Sequence, residues 1–153
     1  MLYTSLTERL KNQHTSIGEM TAGLDADRLT LSLEPGKWNI HDNIAHLTVY
    51  QPLFINRIQT ILITDNPSFG SYRADDDETF LAWRGWTVGE LLNKMDADRQ
   101  QLYQLIINIS VWELSKVGTH LKYGRMTITQ WTEFFLLHEA HHLFTIFRLA
   151  QSV

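Results

Sequence analysis

The segment at residues 136–143, with the sequence LLHEAHHL, constrains the fold more than any other part of this chain. It lies in an apolar stretch with helical spacing, and Thr127-x-x-Gln130 is typical of a capping box that begins such a helix. His138 and His142 are four residues apart, so they lie on one face with their Cβ atoms roughly 5–6 Å apart. Two imidazoles at this spacing can bind one transition metal through bonds of about 2.0–2.1 Å.

This histidine face is predicted to point into the core. At about 100° per residue, five largely apolar residues share it: Trp131, Phe134, Phe135, Thr145 and Leu149. A buried imidazole without partners is costly, which leaves two interpretations. The pair consists either of neutral histidines satisfied by hydrogen bonds or of two ligands of one metal ion.

Composition narrows the classes of function. The 153 residues suit a single domain over residues 1–153, and 44% hydrophobic with 20% charged residues is ordinary for a globular protein. A net charge of −4 argues against a nucleic-acid partner. There is no cysteine, so a metal site must use His, Asp, Glu or water. No signal peptide or long apolar run is visible, so we expect a cytoplasmic protein with no membrane partner.

Hydrophobic periodicity and capping motifs predict four long helices, at residues 3–24, 38–63, 87–109 and 127–151. We expect the second helix to be bent or interrupted at Pro52. Two long connections join the helices, and the second, residues 110–126, could hold a short hairpin. The first connection carries aromatic residues that should pack onto the domain: Phe69, Tyr72, Phe80, Trp83 and Trp86.

Polar residues share the side of the second helix that carries His46. Asn43, Tyr50 and Arg57 lie there together with Leu53. An inward polar set is what a ligand pocket needs. A half-exposed helix flank would show the same pattern, and periodicity alone does not separate the two.

Residues elsewhere on the helices have simpler interpretations. His14 lies on the apolar stripe of the first helix and is predicted to be a core or pocket-wall residue rather than a ligand. Asp96, Asp98 and Arg99 are interpreted as the solvated side of the third helix.

The last helix is apolar on its other side as well. We place Leu136, Leu143 and Phe147 on that outer side, opposite the histidines. A helix that is apolar all round is either central or covered by a partner. We therefore expect a homodimer that uses this side.

The string His138-Glu139-Ala140-His141-His142 also fits the zinc-protease pattern H-E-x-x-H. Such proteases take their third ligand downstream, whereas residues 143–153 contain no His, Asp or Glu. A peptidase or other hydrolase of this kind is therefore the less favoured interpretation.

A third metal ligand that lies upstream of the last helix agrees with a resemblance to a known family. Residues 37–47, KWNIHDNIAHL, are similar to the second-helix motif of the DinB/YfiT-like superfamily of four-helix-bundle metalloproteins. Gly85-Trp86-Thr87 resembles the entry to that family's third helix. The segment from His120 to Thr127, followed by His138-x-x-His141-His142, resembles its last helix. The resemblance covers nearly the whole chain and implies an all-α fold, a four-helix bundle with long connections.

The resemblance also implies a site and a chemistry. Its metal ligands would be His46, His138 and His142, and the metal zinc or nickel. Characterised members include transferases and isomerases that use low-molecular-weight thiols. Since this chain has no cysteine, the thiol would come from a small molecule. We therefore expect a thiol-dependent transferase acting on a small molecule; the alternative is a non-catalytic, stress-associated protein that binds a metal or ligand.

Further residues are candidates around such a site. Glu139 is a candidate base or orienting group, although it lies about 100° round the helix from His138, which favours a solvated or interface carboxylate. His141 points nearer the pocket face and is a candidate to support a ligand. Asn43, Tyr50 and Arg57 are candidate substrate contacts, and Arg57 suits an anionic group.

Overall fold

The computed structural model describes residues 2–153 and confirms an all-α architecture in which four long helical segments form a bundle. The helices are α1 Thr4–Asn12, α2 Ser16–Met20, α3 Ala26–Thr30, α4 Ile40–Ile63, α5 Glu78–Trp83, α6 Val88–Ile107 and α7 Ile128–Ala150. Three short strands accompany them, β1 Ser68–Phe69, β2 Val117–His120 and β3 Gly124–Thr127. Within residues 2–153, no helix is long and apolar enough to cross a bilayer.

Helix α4 is the central helix of the bundle. It packs against α6 and α7, while α3 and α5 cover its outer side. Its first twelve residues, 40–51, are all buried as a result. Asn39 and Asp42 form a reciprocal capping box at its start, which holds the entry of the helix in one orientation.

The predicted interruption at Pro52 is not observed, because α4 runs through this residue as one helix. Proline removes a single backbone donor. In the turn before it, the side chains of Thr48 and Gln51 donate to the carbonyls of Ile44 and Leu47, at 2.8 and 3.1 Å.

The first predicted helix, in contrast, is divided. A 3-10 turn at Gln13–Thr15 separates α1 from α2. Thr15 Oγ1 and Ser16 Oγ donate to the carbonyls of Asn12 and Gln13, both at 2.8 Å. Such local hydrogen bonds compete with the regular helical pattern, and apolar periodicity does not reveal them.

A small sheet of order β1-β2-β3 lies at one end of the bundle. β2 and β3 form the short hairpin that was one possibility for the second connection, and β1 pairs with β2 in parallel. Gly118 lets the hairpin approach α4, since a Cβ there would lie 2.8 Å from Ile61 Cγ1. The sheet thereby places His120, the last residue of β2, against the bundle.

The exposed side of α7 differs from the predicted one. Leu136 is fully buried in the core and Leu143 packs partly against it, so both assignments to the outer side were wrong. Leu137, Phe144 and Phe147 are 59%, 61% and 47% exposed. Phe147 was placed correctly. At Leu136 and Leu143 the error is about one residue, which rotates a helical position by about 100°.

Candidate metal centre

Helices α4 and α7 bring three imidazoles together. His46 lies in the second turn of α4, and His138 and His142 lie one turn apart on α7. The Nε2 atoms of His46 and His138 are 3.1 Å apart, and the ring centroids of His46 and His142 are 4.4 Å apart. Each residue offers one ligand atom, and these three atoms all lie within 4.8 Å of one another. The predicted convergence of the three histidines is therefore confirmed.

The arrangement fits a metal ion better than a set of satisfied core histidines. Two nitrogens bonded to one zinc at about 2.0–2.1 Å are roughly 3.3–3.4 Å apart in tetrahedral geometry, and the observed 3.1 Å separation is within a few tenths of an ångström of this distance. Nδ1 of His46 and Nδ1 of His138 are buried and have no hydrogen-bond partner. Buried polar groups are normally paired, so these rings are not fully satisfied core histidines. With Nε2 as the ligand atom, Nδ1 carries the ring proton and does not itself bind the metal.

Asn43 determines the orientation of the third ring. Its amide nitrogen donates to the carbonyl of Asn39 at 2.8 Å, which directs its oxygen towards His142. Nδ1–H of His142 donates to that oxygen at 2.8 Å. The lone pair of His142 is then on Nε2, the form in which an imidazole binds metal. Asn43, a predicted pocket residue, thus contacts one of the three candidate metal ligands.

Burial keeps all three imidazoles neutral. It is the first cause that lowers the pKa of His46 to about 2, with the neighbouring His142 and His138 adding to it. Burial also lowers the pKa of His138 to about 4 and that of His142 to about 3, with smaller effects from charges nearby. Metal binding requires deprotonated ligands, so the three rings are in the binding form at neutral pH.

Aromatic rings enclose the cluster. Trp38 lies 5.1 Å from the ring of His46, Tyr72 stacks on His46 at 5.6 Å, and Tyr50 lies 4.4 Å from His138, all between centroids. Phe80 approaches His46 edge-on at 6.4 Å. Sequence reasoning predicted that Tyr72 and Phe80 pack onto the domain but did not place them at the site, and it missed Trp38 as a wall residue.

A cavity of about 130 Å³ adjoins the cluster at His138. Sequence reasoning named Tyr50 as a pocket residue. It did not connect the other polar lining residues with a pocket, although His120 is part of the motif that carries the family resemblance. The cavity is lined by Tyr50, Ser71, Tyr72, His120, Tyr123, Phe134 and His138.

Two other pocket candidates lie elsewhere. Arg57 is buried behind Tyr50, where it donates to the Tyr50 hydroxyl at 3.4 Å and to the carbonyl of Gly70 at 2.9 Å. His141 is exposed; its ring lies 5.3 Å from that of His142, and it does not line the cavity. The expected orientation of His141 towards the pocket face was therefore wrong.

Glu139 is buried, contrary to the prediction of a solvated or interface carboxylate. It pairs with Arg99, which was itself wrongly assigned to a solvated side together with the buried Asp98. Gln13 donates to the other oxygen of Glu139 at 3.0 Å, and Arg99 also donates to Gln51 at 3.0 Å. The carboxylate is thus engaged in a core ion pair, because α1 and α2 cover this side of α7 and Arg99 reaches it from α6. His14 is buried, as predicted for a core residue, and its Nδ1 lies 3.4 Å from Arg99 Nη1 in the same network.

Fold and site together define a class: four-helix bundles with a three-histidine cluster between two of the helices. The chain belongs to the DinB superfamily, whose family model matches residues 9–146. Among solved structures, it is similar to YfiT from Bacillus subtilis, described as "a probable metal-dependent hydrolase with an unusual four-helix bundle topology". That match has a TM-score of 0.81 and 13% identity and covers 97% of this chain and 85% of YfiT. No curated protein matches the sequence significantly.

Proposed function

We propose that this protein is a metal-dependent enzyme in which His46, His138 and His142 hold one divalent transition metal, zinc or nickel, and act on a small molecule. The observation that carries this proposal is the convergence of three neutral imidazoles from two helices, whose ligand atoms all lie within 4.8 Å of one another. Three protein ligands are typical of catalytic metal sites, which keep a position open, whereas structural sites use four.

The reaction we favour is transfer of a low-molecular-weight thiol to an electrophilic small molecule. A divalent metal would supply Lewis-acid activation of a coordinated thiol or water. The chain has no cysteine of its own, so the thiol would be a cosubstrate. The aromatic walls formed by Trp38, Tyr50 and Tyr72 would exclude bulk water from it.

Hydrolysis is a second candidate, supported by the description of YfiT as a probable metal-dependent hydrolase. A non-catalytic metal-binding role is the third. It is supported by the state of the carboxylates: among residues 2–153, no Asp or Glu hydrogen-bonds to the three histidines, and Glu139 is engaged with Arg99.

Metal analysis of protein purified without an affinity tag tests the centre. We expect one metal per chain in the wild type and its loss in His46→Ala and His142→Ala. His141→Ala is the matched control, since it removes an exposed histidine from the same turn and should keep the metal. Stoichiometric metal in both His46→Ala and His142→Ala would refute the assignment.

Turnover assays on the metal-loaded protein separate the three candidate functions. Consumption of an electrophile that requires an added thiol supports transfer. Cleavage of esters or amides without a thiol supports hydrolysis and contradicts the transferase. Bound metal with no turnover of either kind supports the binding role.

A further inference from the structure

Arg57 is a buried cation without a carboxylate partner. The residue is only 8% exposed. Within residues 2–153, no Asp or Glu forms an ion pair with it. Arg99, another buried guanidinium, is paired with Glu139. Burying a charge is costly unless it is paired. Arg57 therefore lies in the core without the kind of counter-ion that Glu139 provides for Arg99.

Aromatic rings and neutral oxygens surround this guanidinium. It lies 5.5 Å from the ring centroid of Phe69 and 5.8 Å from that of Trp131. Its hydrogen bonds go to the carbonyl of Gly70 and to the hydroxyl of Tyr50. Cation–π contacts contribute to holding a guanidinium in place, but they leave its charge uncompensated.

The hydroxyl of Tyr50 connects Arg57 to the cavity beside His138. Because this oxygen accepts from Arg57 Nη1, its own proton is available for donation elsewhere. Tyr50 lines the cavity together with His120 and Ser71. The positive charge of Arg57 therefore acts on a donor at the cavity wall, and hydrogen bonds polarised in this way are strengthened.

His120 offers a second donor. The backbone N–H groups of Lys122 and Tyr123 donate to its Nδ1 at 3.0 and 3.3 Å, which places the ring proton on Nε2. Burial, followed by the charges of Arg57 and Lys122, lowers the pKa of His120 and keeps the ring neutral. No group within residues 2–153 accepts from Nε2–H, and the ring lines the cavity.

We propose that the cavity beside His138 is a subsite for a small carboxylate, in which Tyr50 O–H and His120 Nε2–H donate to the carboxylate and Arg57 supplies the counter-charge from behind. This inference deepens the proposed function and rests on it, because it assigns the substrate to carboxylic acids. The cavity of about 130 Å³ is close to the roughly 150 Å³ that holds a benzene molecule. It therefore accommodates a carboxylate with a few carbon atoms.

The subsite is tested by the binding of acetate and propionate to the metal-stripped protein. Metal is removed so that the carboxylate of a probe cannot coordinate it directly. We expect both probes to bind and to raise Tm, and Arg57→Met to weaken binding at least tenfold. Arg57→Lys keeps the charge and should lose less. Arg73→Met, which removes an exposed arginine from the connection that follows α4, is the matched control and should bind as the wild type does.

Two further variants separate donation by His120 from its structural role. His120→Asn keeps an acceptor for the two backbone N–H groups but has no donor at the Nε2 position, so it should fold and bind the probes at least tenfold more weakly. His120→Gln retains a donor at about that position and should recover part of the affinity. The probe-free Tm of Arg57→Met should not fall, because the substitution removes an uncompensated buried charge.

The subsite is overturned if neither carboxylate binds, if Arg57→Met and His120→Asn bind them undiminished, or if inorganic phosphate binds more tightly than acetate. Metal stoichiometry measured on the same preparations keeps the two proposals distinct. Arg57-dependent carboxylate binding in a chain that never takes up metal supports the subsite while refuting the metal centre. Stoichiometric metal without carboxylate binding does the reverse.

Discussion

One amide determines which nitrogen of His142 is free. Asn43 accepts from Nδ1–H of His142 and is itself held by Asn39. Partners of this kind orient metal ligands, and their loss typically costs 10–100-fold in metal affinity. We expect Asn43→Leu to weaken zinc binding by about this factor and Asn43→Asp, which keeps an acceptor, to weaken it far less. Competition with a chromogenic chelator measures both, and equal affinities for the two variants would contradict the role of Asn43.

The Glu139–Arg99 pair belongs to the stability of the core. Removing one member of a buried ion pair leaves the other uncompensated, at a cost of about 3–5 kcal/mol. We expect Glu139→Leu to lower the free energy of unfolding by about that amount, and the double variant Glu139→Leu/Arg99→Met to lower it less. Urea unfolding measures both. Metal stoichiometry should be unchanged in the double variant, and its loss there would place Glu139 at the metal centre after all.

His14 should make folding sensitive to mild acid. Burial, followed by the charge of Arg99, lowers its pKa in the folded protein, although Asp96 acts in the opposite direction. The unfolded chain therefore binds a proton below about pH 6.5 that the folded protein does not, and stability falls as the pH falls. His14→Gln should show a smaller loss of unfolding free energy between pH 7 and pH 5. A slope identical to that of the wild type would contradict this.

At the scale of elements, the hairpin of β2 and β3 depends on a close approach to α4. A Cβ at Gly118 would lie 2.8 and 2.9 Å from two atoms of Ile61 and 3.2 Å from Phe69. Overpacking of this kind costs about 1–3 kcal/mol, so Gly118→Ala should lower the free energy of unfolding by that amount. Gly89→Ala, in α6 with nothing within 4 Å, is the control and should stabilise the protein by roughly 0.5–1 kcal/mol.

The helix starts were predictable because capping is local. Thr127 with Gln130 forms the reciprocal bonds that its spacing indicated at the start of α7, and Thr87 with Glu90 forms the same box at the start of α6. Strand β1 was not predicted. It has two residues, and its pairing partner β2 lies some fifty residues along the chain, so no local periodicity marks it.

At the scale of the whole molecule, the exposed face of α7 remains the surface on which we place the expected homodimer. Leu137, Phe144 and Phe147 form an apolar stripe along this helix. A stripe on one helix can pack against its own copy across a twofold axis. We expect Phe144→Glu to convert the dimer to a monomer in analytical ultracentrifugation, while Leu121→Glu, at the exposed hairpin turn, stays dimeric. A monomeric wild type at high micromolar concentration would refute the dimer.

Local spacing determined the helix starts and the pairing of His138 with His142 on one helix face, because residues four apart are neighbours in any α-helix. The lack of cysteine excluded thiolate ligands in the same direct way. Burial of single side chains was less predictable. From the sequence alone, Glu139 and Arg99 were expected in solvent, because an isolated charge is costly to bury.

Only the tertiary structure decided which distant groups meet. The packing of α4 against α7 brings His46 within 3.1 Å of His138, ninety-two residues away. The packing of α6 against α4 lets Arg99 pair with Glu139. Arg57 is left without a counter-ion behind Tyr50, which lines the cavity. These contacts depend on which helices pack together. The hydrophobic periodicity of one helix does not reveal this, because it is the same whichever neighbour packs against it.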